Sequence, residues 1–101
     1  MEEFEIKRSK LKEIDGGGLE RIVKNVFGEY TAEGEKFVVR YGAMQPLKAW
    51  LSGGRLCVEI VTDRNVDDQT ALSSISLRNK FLEAATGYTA KERLKKLKKQ
   101  G

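Results

Sequence analysis

The chain has 101 residues, 34% of them charged and 40% hydrophobic, enough for one domain that removes roughly two-thirds of its unfolded surface from water. A single proline and ten glycines exclude a fibrous or disordered chain, and a single cysteine excludes an internal disulfide framework and suits a reducing interior. The net charge of +4 is not a property of the whole chain: residues 91–101 carry +5, and the remaining ninety residues carry −1.

Taken in chain order, Phe4-Glu5-Ile6-Lys7 alternates apolar and polar and reads as a short strand. Leu11 and Ile14 follow, and Asp15-Gly16-Gly17-Gly18 then reads as a break and a flexible lead-in. Leu19, Ile22, Val23, Val26 and Phe27 recur at helical spacing and predict an amphipathic helix that Gly28 ends. Three strands are predicted next, at 37–41, 47–51 and 56–61, with Gly53-Gly54 as a two-residue hairpin turn between the last two. If Leu47, Ala49 and Leu51 face the helices, Lys48 and Trp50 face the other way, together with Val38, Arg40, Cys57, Glu59 and Val61.

A long helix is predicted from Val66 or Asp67 to Thr86, with Asp67 and Asp68 at its positive end and Gly87 as its stop. It carries Leu72, Ile75 and Leu82 on one side and Leu77, Phe81 and Ala84 on the other, so it needs two partners. Thr89-Ala90-Lys91-Glu92 is a capping box and predicts a terminal helix. Its narrow stripe of Ala90, Leu94 and Leu97 is expected to dock on Leu77 and Phe81. The expected core is Ile22, Val23, Val26, Phe27, Val39, Leu51, Leu56, Val58, Ile60, Leu72, Ile75 and Leu82. The predicted fold class is α+β, a two-layer sandwich. An antiparallel meander of three or four strands is covered on one face by helices, and a basic C-terminal helix (88–101) packs on the same single domain.

The chemistry is limited by what is missing. There is no histidine, which removes the commonest general base, the commonest metal ligand and every Ser-His or Cys-His nucleophile pair. One cysteine cannot build a thiolate zinc site; a carboxylate-only magnesium site at Asp63, Asp67 and Asp68 stays open, but the three match no calcium-loop spacing, and Asp67 and Asp68 read better as helix-start residues. Gly16-Gly17-Gly18 lacks the Gly-Lys-Ser/Thr of a phosphate loop, and Arg21 stands where a dinucleotide fingerprint has its third glycine. The expectation is therefore a protein that is not an enzyme, with no catalytic residue, no cofactor and no metal.

Two binding features remain. Trp50 beside Arg40 and Lys48 on an open sheet face resembles the stacking platforms that hold single-stranded nucleic acid; it equally suits a protein contact or simple cover for the sheet. Lys91, Arg93, Lys95, Lys96, Lys98 and Lys99 suit phosphate contacts, or no more than a solvated helix face. The alternative is a protein-interaction or homodimeric module using Leu77 and Phe81, so the expected partner is nucleic acid or protein, and the state monomer or homodimer. No apolar run approaches the roughly 20 residues that span a bilayer. The acidic start, Met1 to Glu5, lacks the basic and apolar parts of a signal peptide. The expected location is cytoplasmic, with no membrane partner.

The segment 29–41, the hairpin "WLSGGRLCVEIVTD" and the ending "FLEAATGYTAKERLKKLKK" together resemble a family of small uncharacterised archaeal proteins. The likeness covers nearly the whole chain. It implies a two-layer α/β sandwich, somewhat like the half-fold of the TATA-binding protein, and it transfers no activity or site residue. The likeness to a DNA-binding fold is one of shape alone.

Overall fold

The computed structural model describes residues 2–100, without side-chain detail at 96–100. A strand β1 (Glu2–Glu5) leads into α1 (Arg8–Glu13), a π-helical turn (Ile14–Gly18) and α2 (Leu19–Phe27). Strands β2 (Thr31–Glu33), β3 (Lys36–Tyr41), β4 (Met44–Ser52) and β5 (Arg55–Thr62) follow, then α3 (Asp68–Thr86) and α4 (Ala90–Gln100). The sheet is antiparallel in the order β1-β5-β4-β3-β2, a four-strand meander extended by β1 on its far edge. It thus has five strands rather than three or four. The N-terminal strand occupies residues 2–5 instead of 4–7, and β2 was not predicted at all.

The triple glycine interrupts the helix without opening a loop: a π-helical turn at Ile14–Gly18, with Gly17 at a positive φ of 89°, joins α1 directly to α2. Gly18 is required there, because a Cβ at this position would run into the Glu13 carbonyl. Charged helix formers give α1 its propensity, and Leu11 and Ile14 tie it to the core. The β4–β5 hairpin closes with Ser52 opposite Arg55, and both intervening glycines, Gly53 and Gly54, take positive φ of 58° and 76°.

The core lies between the sheet and α1–α3: Val39, Leu47, Ala49, Leu56 and Val58 from the strands meet Ile14, Leu19, Val23, Phe81, Leu82 and Ala85. Ile22, Val26, Phe27, Leu51 and Ile60 pack around this centre half-buried. Two expected core residues are not in it. Leu72 is 67% exposed and Ile75 54% exposed, because α3 turns Ser74, Phe81, Leu82 and Ala85 inward instead. Buried Ser74 holds α3 to the sheet by polar bonds. Its Oγ accepts from Ala43 N at 2.9 Å in the β3–β4 turn and donates to Thr70 O at 2.8 Å.

The Phe81 part of the second apolar face of α3 packs on α2. The Phe27 and Phe81 rings lie 5.4 Å apart, and Phe81 is fully buried. Leu94 is 54% exposed and Ala90 is also exposed, so neither buries itself on Phe81, although α4 does contact α3. The Leu97 side chain lies outside the described residues. Among the described residues, no helix is long and apolar enough to cross a membrane.

Candidate nucleic-acid interface

The sheet register places the open-face residues as the alternation required. Trp50 pairs with Cys57, which pairs with Glu3; Lys48 pairs with Val38 on one side and Glu59 on the other. Arg40 lies farther along β3 on the same face and is exposed. Among the described residues no helix joins a core on this side, yet it is not a bare basic platform. Trp50 is half-buried, and Lys36 places its Nζ 4.4 Å from the ring centroid. Lys48 forms an ion pair with Glu33 at 3.7 Å. Across the face, the cations Lys36, Arg40, Lys48 and Arg55 are matched in number by Glu3, Glu5, Glu33 and Glu59. The expected grouping of Arg40, Lys48 and Trp50 on one face is therefore present, but their positive charge is offset and the ring already holds a cation.

Cys57, beneath this face, is buried, and its thiol is pushed up by burial, with the negative charge of Glu3 adding to the shift. A raised thiol is a poor nucleophile and packs as a small hydrophobe. Asp67 caps the start of α3, its Oδ1 accepting from Thr70 N at 3.1 Å, while Asp63 Oδ1 accepts from Asn65 N at 2.9 Å in the loop before the helix. Bonding to Thr70 holds the Asp67 carboxyl below its usual range.

The terminal segment forms the capped helix its sequence implies. Glu92 N donates to Thr89 Oγ1 at 3.2 Å, and Thr89 N donates back to Glu92 Oε1 at 3.1 Å. These bonds to Thr89 hold the Glu92 carboxyl below its ordinary value; Lys7 and Lys95 contribute less. Lys91 and Lys95 stand exposed on α4. Arg93 does not join them: it is half-buried and donates from Nη1 to Tyr88 O at 2.7 Å. Burial lowers its affinity for the proton, and the nearby Arg78 charge lowers it further. The side chains of Lys96, Lys98 and Lys99 lie outside the described residues.

Leu77 and Phe81, the expected interface pair, are respectively half-buried and fully buried, so Phe81 belongs to the core. The exposed apolar pair on α3 is Leu72 and Ile75. Ile75 borders an apolar groove of about 440 Å³ that also takes in Met44 and Ile60, with the Arg78–Glu2 ion pair at 3.2 Å on its rim. Sequence reasoning missed this pair because it assigned both residues to the core.

A family model matches residues 1–99. The chain belongs to the family DUF5611, a domain of unknown function. No curated protein and no solved structure matches it. Within this DUF5611 domain the arrangement offers cations on a capped helix and a charge-balanced sheet face.

Proposed function

We propose that this DUF5611 chain is a non-enzymatic binding module whose partner is nucleic acid, held by its phosphate backbone through α4. One observation carries the reading. The lysine-rich end is a helix fixed by the Thr89–Glu92 box, with Lys91 and Lys95 exposed, whereas the cations around Trp50 are offset by carboxylates. Contacts of this kind are independent of sequence and weaken steeply with salt. The absence of histidine and the raised, buried thiol support the non-enzymatic part.

The test is a mobility-shift assay with duplex DNA and with single-stranded RNA at about 50 mM salt, where even non-specific binders respond. Binding by the natural chain and its loss in Lys91→Glu/Lys95→Glu are expected. No binding to either probe at that salt contradicts the reading.

A second reading, self-association, is favoured by the exposed Leu72 and Ile75 beside an apolar groove. A strictly monomeric chain in sedimentation removes it.

A further inference from the structure

In the sequence, the excess positive charge belongs to the last eleven residues. The fold places a second group of cations beside the base of that segment. Residues 7–12 contain Lys7, Arg8, Lys10 and Lys12 and no carboxylate. The start of α1 is fastened to the end of α3, since Lys7 N donates to Thr86 O at 2.8 Å. The stems of Lys7 and Lys10 crowd Gly87 so closely that a Cβ there would collide with them. Lys7 also places its Nζ 5.9 Å from the Tyr88 ring centroid, one residue before the capping box of α4. Lys10 and Lys12 then share a groove of about 480 Å³ with Arg21 of α2 and Ala84 of α3.

The carboxylates at this end are largely engaged. Glu13 lines the same groove and pairs with Lys10 at 3.6 Å, while Glu92 is bonded to Thr89. Glu83 faces Arg93. Lys12 and Arg21 are exposed, and neither enters an ion pair among the described residues. Lys7 and Lys10 therefore border Gly87-Tyr88 at the base of α4, and Lys10 links them to the groove shared with Lys12 and Arg21. The balanced sheet face contributes none of them.

We infer that the phosphate-binding surface is composite: Lys7, Lys10, Lys12 and Arg21 extend the lysines of α4 into one surface for a nucleic-acid backbone. This rests on the nucleic-acid reading above. A polyanion with regularly repeated charges engages cations on several elements at once, and each phosphate contact releases a counterion. A lipid surface is the poorer match. Interfacial helices bury Trp, Phe and Leu on one face, whereas α4 has no aromatic residue and its apolar stripe is narrow.

The experiment is fluorescence anisotropy with a labelled mixed-sequence duplex DNA, a single-stranded RNA and phosphatidylglycerol vesicles, run between about 50 and 200 mM salt. Lys12→Ala/Arg21→Ala and Lys91→Ala/Lys95→Ala are each expected to flatten the log–log salt dependence by roughly 2, about 0.9 per lost contact. The charge-keeping Lys12→Arg/Arg21→Lys should bind as the natural chain does. An unchanged slope in Lys12→Ala/Arg21→Ala, with a reduced slope in the α4 variant, overturns the composite surface and leaves the proposed function standing. A natural chain that binds neither nucleic acid, or binds only the vesicles, overturns both.

Discussion

The Lys36 ammonium lies 4.4 Å from the centre of the Trp50 ring, on the sheet face opposite the helix-packed core. The two residues are register partners on adjacent strands, since Phe37 pairs with Ala49. This arrangement gives Trp50 a partner within the chain and removes the ring from the role of an empty stacking platform.

Lys36→Ala is expected to cost about 0.5–1 kcal/mol, the usual range for an exposed cation–π pair, and to shift Trp50 emission to longer wavelength. Chemical denaturation and fluorescence spectra check this. Saturating nucleic acid should leave Trp50 emission in the natural chain unchanged; strong quenching would move the binding site to the sheet.

The reciprocal bonds of Thr89 and Glu92 set the start of α4. Thr89→Ala should cost about 1 kcal/mol of helix stability and lower the helical circular-dichroism signal. The pH dependence has a definite sign. The folded Glu92 carboxyl lies below its ordinary value of 4.5, so its contribution is present above that value. It is lost as pH falls through the lowered folded value. Asp67, lowered by its bonds to Thr70, behaves in the same way at the start of α3. With no histidine in the chain, helicity should hold constant from about pH 6 to 8 and fall only on acidification below the carboxylate range. A step near neutrality would contradict this.

Phe81 and the pair Leu72 and Ile75 should behave as opposites. Phe81 is fully buried against Phe27, so Phe81→Ala should lower stability by about 3–5 kcal/mol, read by denaturant titration. Leu72→Ser/Ile75→Ser removes exposed side chains and should leave stability nearly unchanged. Any self-association seen by sedimentation should weaken in that variant. A large loss of stability from Leu72→Ser/Ile75→Ser would show that both side chains are buried.

What the sequence reveals here depends on whether a feature is local. The caps of α3 and α4, the Gly28 stop and the Gly53-Gly54 turn are decided by residues within four positions of one another, and all form as predicted. The sides taken by Trp50, Lys48 and Cys57 follow from strand alternation alone. β2 escaped because Thr31-Ala32-Glu33 is exposed throughout and shows no apolar pattern. The π-turn escaped because three glycines in a row ordinarily end a helix. Leu72 and Ile75 were misplaced because helical spacing gives the angle between two faces, not which face meets the sheet. The corner of Lys7, Lys10, Lys12 and Arg21 depends on the contact of residue 7 with residues 86–88, a separation that no local pattern encodes.

The most direct test of the account is an amide chemical-shift map of the chain titrated with duplex DNA at about 50 mM salt. Shifts should concentrate in residues 7–12, around Arg21 and from Tyr88 onward, with the Trp50 indole and the amides of β3–β5 unmoved. Shifts centred on Trp50, Lys48 and Arg40, with α4 unmoved, would contradict it.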